Sequence, residues 1–113
     1  MPELATGDVV WANLDPTTGR EQGGRRPVVV VASTLYLDVV DTLAIVVPVT
    51  TRDRGWPNHI RLAGPAGLDQ PSWALTEQPR TISRTRLDAA AAGHIDDACL
   101  DEIRVYLRDF LGF

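Results

Sequence analysis

Lysine is absent from this 113-residue chain, so all eleven basic side chains are arginines. Cysteine occurs once, at Cys99, which excludes an internal disulfide and a cysteine-based metal cluster and leaves the thiol as a small core residue. Histidine occurs twice, at His59 and His94, with no carboxylate pattern around either. That spacing speaks against a metal site or a catalytic pair, and His59, in an expected strand, either reaches a bound nucleic acid or, as the preferred reading, is a satisfied surface histidine. Apolar runs of membrane-spanning length are missing, and Met1-Pro-Glu-Leu-Ala lacks the basic start and apolar body of a secretory signal. The expectation is a cytoplasmic protein with no membrane partner, no metal and no cofactor.

What is present suffices for one core. With 44% of 113 residues hydrophobic, residues 1–113 are expected to form a single domain. The net charge of −4 argues against a protein that coats long duplex DNA. The charge is unevenly spread, however. Residues 16–61 hold six arginines against four acids, and residues 87–113 hold two against six. A locally basic half suits a short single strand of nucleic acid.

The first apolar segment is bounded by Gly7-Asp8 and Asp15-Pro16, with Val9, Trp11 and Asn13 on one side and Val10, Ala12 and Leu14 on the other. Both sides are mostly apolar, as in a central or curved sheet, and Trp11 is expected in the core. Residues 27–33 and 43–50 are continuous β-branched runs that should form the centre of the sheet. Residues 58–62 and 72–78 read as further strands separated by the Gly/Pro-rich loop 63–71, and residues 83–87 as a short helical turn. Asp96 is the expected cap of a terminal helix, with Ile95 stapled onto Leu100 and Leu100, Ile103, Leu107 and Phe110 or Leu111 forming its apolar stripe up to Gly112. By itself this pattern describes a compact, mostly β domain.

Between the first two strands, residues 16–26 are expected to form an exposed loop. Its later part, Arg20-Glu21-Gln22-Gly23-Gly24-Arg25-Arg26, concentrates three guanidiniums, a carboxylate and an amide in seven residues. A hairpin needs none of these. Arginine donates in a planar fork that suits phosphate, so the loop points to a polyanionic substrate.

The order Gly7-Asp8-x-x-Trp11, Asp15-Pro16, Gly19-x-Glu21-Gln22-x-Gly24-x-Arg26-Pro27 and a valine run closely resembles the opening of the MazF/PemK family of toxin endoribonucleases. Val46-Val-Pro48-Val-Thr50-Thr51 resembles the family's second block and Glu77-Gln78-Pro79-Arg80-Thr81-Ile82 its third. Three ordered blocks at compatible spacing are far more specific than one short motif. The resemblance implies a small, strongly curved SH3-like barrel with short helices and a C-terminal helix, acting as a homodimer. It also implies metal-independent cleavage of single-stranded RNA through 2′-hydroxyl attack, neutralised by a cognate antitoxin.

Such cleavage needs a proton acceptor, stabilisation of a crowded phosphorane, and protonation of the departing 5′-oxygen. Glu21 is the only acid of the opening loop and serves as acceptor or as organiser of an arginine; a solvated pair with Arg20 or Arg25 is the plainer reading. Arg26 matches the family's central catalytic arginine and suits phosphorane stabilisation better than base chemistry, or else it fixes the loop. Thr50 matches the family's active-site threonine, with a hydroxyl for a phosphate oxygen, while an ordinary turn-capping role is the alternative and the preferred one for Thr51. Arg20, Gln22, Arg25, Thr51, Arg52, Arg54, Glu77, Gln78 and Arg80 are candidate RNA contacts. Glu77 stands where one branch of the family places an aspartate proposed as the base. This chain has Leu75 and Arg20 where that branch has an arginine and a histidine, which favours the Glu21, Arg26 and Thr50 set. Trp56 and Trp73 flank turns and either stack on bases or pack. The alternatives are a gyrase-poisoning toxin of the same fold, which binds protein and cuts nothing, and an SH3-like interaction module, which lacks its aromatic groove here.

Overall fold

The computed structural model describes residues 3–16, 18–19 and 21–113. Its strands are β1 (Asp8–Asn13), β2 (Arg25–Val30), β3 (Leu43–Thr50), β4 (His59–Arg61), β5 (Trp73–Leu75), β6 (Arg80–Ser83) and β7 (Gly93–His94). Helix α1 (Thr34–Val39) lies between β2 and β3, and α2 (Asp97–Leu111) closes the chain. No helix among the described residues is long and apolar enough to cross a membrane.

The strands run in the order β4-β5-β3-β2-β1-β7, all antiparallel, with β6 also on β3. One edge of β3 pairs with β2, and its other edge is divided between β6, opposite Leu43 to Val46, and β5, opposite Val49 and Thr50. The sheet therefore splits along β3 and curls into a half-barrel, the curved mainly-β fold with a C-terminal helix that the resemblance implied.

Both faces of the central strands are buried, as their two-sided apolar pattern requires. Val9, Val29 and Val47 lie on the face closed by Ile95, Cys99, Leu100 and Ile103 of the α2 segment. Val10, Val28, Val30 and Val46 lie on the other, closed by Leu37 of α1 and Ile82 of β6. Truncating a fully buried residue such as Ile103 to alanine is expected to cost about 2–5 kcal/mol. Cys99 is in this core, and burial pushes its thiol pKa up.

Helix α2 starts and stops where its caps dictate. The Asp96 carboxylate accepts from the Cys99 amide at 2.8 Å, and Gly112 adopts φ +81°, which a side chain would disfavour. Its stripe is shorter than expected, because Phe110 and Leu111 are exposed while Leu107 is the last residue packed on the core. The helix has by then run past the sheet that it covers.

Other boundaries also move. β2 begins at Arg25, opposite Asn13, so two residues expected in the loop belong to a strand. Pro27 is tolerated inside β2 because β3 joins only from Val28, leaving residue 27 on a locally free edge. The expected strand 72–78 ends at Leu75, where Gln78 N returns to the Leu75 carbonyl at 3.0 Å in a turn that leads into β6. Helix α1 has one buried apolar residue, Leu37, and so leaves little periodicity to read. Arg84 secures it from the turn Arg84–Arg86, donating to the carbonyls of Leu37, Val40 and Leu43 at 2.7, 3.0 and 3.0 Å.

Candidate active site

The curl of the sheet leaves a cavity of about 360 Å³ where β1, β2 and the end of β3 face the loop 63–71. Trp11, Arg25 and Arg26 form its strand wall, Thr50 and Thr51 its head, and Leu68, Asp69, Gln70 and Ser72 the opposite side. Antiparallel pairing explains the assembly. Arg26 stands opposite Ala12, and β2 carries it alongside the last residues of β3.

Arg26 is half-buried and held by the backbone. Its Nε donates to the Gly23 carbonyl at 2.9 Å and its Nη1 to the Val49 carbonyl at 3.3 Å, next to Thr50. Burial, and then the like charge of Arg54, lower its pKa from the ordinary arginine value. Thr50 is nearly buried, and its Oγ1 accepts from the Arg52 amide at 3.1 Å. It thus caps the turn, as its plainer reading held, while its hydroxyl hydrogen remains to donate. Arg52 and Arg54 project from the exposed segment that follows.

Arg25 sits over the Trp11 ring at 5.5 Å, within cation–π range, and is tied to Asp88. Trp11 is consequently a partly exposed wall of the cavity rather than the core residue expected from its strand. The sequence offers no signal for Asp88, which reads as one of the tail's many acids, nor for Asp69 and Gln70, which lie in an apparent connector.

The other candidates are placed differently. Glu21 is exposed on its loop, accepting from Thr18 Oγ1 at 3.4 Å, and is not in the cavity wall. The Gln22 amide donates to Gln78 Oε1 at 3.1 Å, so this pair joins the opening loop to the β5–β6 turn. Arg80 donates to the Leu14 carbonyl at 3.3 Å and supports the same junction. Glu77 pairs with His59, whose side chain is 1% exposed; the surface histidine expected from the sequence is a buried one. Arg20 lies outside the described residues. The structure therefore brings Arg25, Arg26, Thr50 and Thr51 to one cavity and gathers Gln22, Glu77, Gln78 and Arg80 around the neighbouring turn. Among the described residues no group of three His, Cys, Asp or Glu side chains could hold a metal ion.

Comparison with known proteins agrees with this architecture. The family model described as PemK-like, MazF-like toxin of type II toxin-antitoxin system matches residues 5–111. The endoribonuclease toxin MazF of Escherichia coli (strain K12) is 30% identical over 112 residues, covering 99% of this chain and 96% of that protein. The crystal structure of MazF from Deinococcus radiodurans superposes with a TM-score of 0.85 at 32% identity and covers 100% of both chains. A MazE-MazF crystal structure from the same organism has a TM-score of 0.79 at 30% identity, covering 100% of this chain and 99% of the other.

Proposed function

The chain belongs to the PemK-like, MazF-like toxin family of type II toxin-antitoxin systems, and from that premise we propose that it is an endoribonuclease toxin cutting single-stranded RNA without a metal. The observation that carries this reading is the placement of the Arg26 guanidinium and the Thr50 hydroxyl at one cavity, linked through the Val49 carbonyl.

In this mechanism the 2′-oxygen attacks the adjacent phosphorus and the bond to the 5′-oxygen breaks, leaving a 2′,3′-cyclic phosphate and a 5′-hydroxyl. Glu21 takes the 2′ proton once bound RNA draws the loop to the cavity; apo geometry is often looser than that of the reactive complex. Arg26 stabilises the phosphorane, its Nη2, which makes no hydrogen bond among the described residues, being available to a phosphate oxygen, and Thr50 donates to another. Burial and Arg54 shift Arg26 in the direction that favours giving a proton to the leaving oxygen. Arg54, with Arg52 and Thr51, guides the strand towards it.

The 113 residues act as a single domain, paired as a homodimer in the cytoplasm. The MazE-MazF complex supports a cognate antitoxin as the physiological restraint. Its binding would oppose the arginine-bearing face and weaken as salt rises.

The test is incubation of purified protein with end-labelled RNA in EDTA. Cleavage products with a cyclic phosphate, abolished when the scissile nucleotide lacks its 2′-hydroxyl, are expected. An absolute magnesium requirement, or cutting of the 2′-deoxy substrate, overturns the mechanism, and a purified protein that cuts no RNA overturns the nuclease reading.

A further inference from the structure

Trp56, Asn58, His59 and Glu77 form a polar group that the cleavage steps do not use. His59 Nε2 stands 3.0 and 3.1 Å from the two carboxylate oxygens of Glu77. Asn58 Nδ2 donates to Oε1 of the same carboxylate at 3.0 Å. Asn58 is itself fixed, since its carbonyl accepts from the fully buried Thr76 hydroxyl at 2.7 Å. Trp56 stacks on the imidazole with ring centroids 4.7 Å apart and shields it, while keeping half of its own surface in solvent.

A carboxylate accepts, so the imidazole hydrogen facing Glu77 is on Nε2. The opposite nitrogen, His59 Nδ1, is buried without a hydrogen-bond partner among the described residues. Leaving it so costs stability. The gain is a carboxylate held in one orientation by two donors on neighbouring residues, with 27% of its side chain still open to solvent. Among the described residues, two donors leave part of the carboxylate's acceptor capacity unused, most of it on Oε2, to which Asn58 does not donate. Next in sequence, the Gln78 side chain accepts from the amide of Gln22, so the residue after Glu77 is tied to the loop that carries Glu21.

Resting on the nuclease reading, we infer that His59, with Asn58, is the positioning residue of a nucleobase subsite in which Glu77 accepts the exocyclic amino group of one base of the RNA. Adenine, cytosine and guanine each carry such a group on an edge exposed in a single strand. Uracil has no exocyclic amino group; its N3–H lies between two carbonyl oxygens, and the position where cytosine offers its amino group holds a carbonyl oxygen, which a carboxylate repels. The subsite therefore selects an amino-bearing base and rejects uracil.

The experiment uses two oligonucleotide panels, varied to each of the four bases at every position near the cut. The ribose panel is read by kcat and KM, and a panel with 2′-deoxy at the scissile nucleotide is read by equilibrium binding. Wild type should disfavour uracil at one position by about tenfold or more, the scale of one good base contact. Glu77→Gln and His59→Leu should each collapse that preference to near twofold, mainly through KM. His59→Gln, which restores an N–H donor, should recover part of it. His59→Leu/Glu77→Gln should discriminate no worse than Glu77→Gln alone, as expected for residues acting as one unit. Full discrimination in folded His59→Leu, or weakening by one factor for all four bases, overturns the proposal. If His59→Leu does not fold, unchanged discrimination by Glu77→Gln overturns it equally. A wild type that binds with uracil discrimination but cuts nothing refutes the nuclease reading and supports the subsite.

Discussion

Arg25 and Asp88 close on each other as a fork, Nη1 to Oδ1 at 2.7 Å and Nη2 to Oδ2 at 2.6 Å, across 63 positions of sequence. The acidic segment thus reaches into the basic half and occupies an arginine that is a candidate RNA contact. The hydrogen bonds from Arg25 hold the Asp88 carboxyl below the usual carboxylate range. A depressed carboxylate contributes above its unfolded pKa and loses the contribution as pH falls through the folded value, so the fork persists into more acid conditions than those in which an unpaired aspartate stays ionised.

Releasing the fork should strengthen RNA binding. Asp88→Asn removes one repulsive charge and frees the guanidinium, and a tightening of about two- to tenfold at low salt is expected, shrinking as salt rises. Fluorescence anisotropy at two ionic strengths measures it. Unchanged or weaker binding would mean that the fork aligns Arg25 for RNA rather than withholding it.

Arg26→Ala should lower the cleavage rate by about a hundredfold or more, the scale of one lost oxyanion-type donor. Its backbone hydrogen bonds add a stability cost of about 1–2 kcal/mol, larger than an exposed loop arginine would carry. Arg26→Lys should restore only part of the rate, because an ammonium lacks the planar two-point fork. Single-turnover kinetics beside thermal melts separate the two effects, and a near-wild-type rate in Arg26→Ala would remove the active site from this cavity.

Glu21→Gln tests the proton acceptor. The variant should bind RNA at least as well as wild type and cleave slowly, since both a repulsive charge and the base are gone. Because Glu21 is exposed, the melting temperature should hardly move. Rapid cleavage by a folded Glu21→Gln protein would assign the base to another residue.

Gly67 fixes the far wall of the cavity. Its φ is +76°, and an added Cβ would lie 1.9 Å from the Ala92 carbonyl oxygen, so alanine meets both strain and collision. Gly67→Ala should cost at least about 2 kcal/mol of stability. It should also weaken RNA binding by displacing Asp69 and Gln70. Denaturant melts and anisotropy check these outcomes, and an unperturbed melt would contradict the close approach of residues 67 and 92.

Cys99 should resist alkylation in the native protein. Burial raises its thiol pKa, which for an acid means that folding favours the protonated form; the contribution is complete below the unfolded thiol value and fades as pH rises above about 8.5. Wild type should therefore lose stability relative to Cys99→Ala in that range. Thiol titration with and without denaturant gives the reactivity, and equal rates in both conditions would place Cys99 at the surface.

Local chemistry was legible wherever a residue's role depends on its near neighbours. The valines of β3 disfavour helix whatever surrounds them, and its expected and observed limits coincide at Leu43 and Thr50. Asp96 and Gly112 end α2 because capping involves amides and carbonyls within one turn. The ordered Glu21, Arg26 and Thr50 blocks likewise carried the family resemblance. Roles decided by partners distant in the chain were not legible. Trp11 could be assigned to a face but not to a cavity wall, since that depends on Arg25 and on the loop bearing Asp69. His59 has no sequence neighbour to suggest burial; Glu77, 18 positions on, becomes its partner only because β4 pairs with β5 and brings their ends together. Residue order thus determined the strands, the caps and the chemical inventory, whereas antiparallel pairing and the curl of the sheet decided which inventory meets in one place, because hydrogen bonds and desolvation act through space.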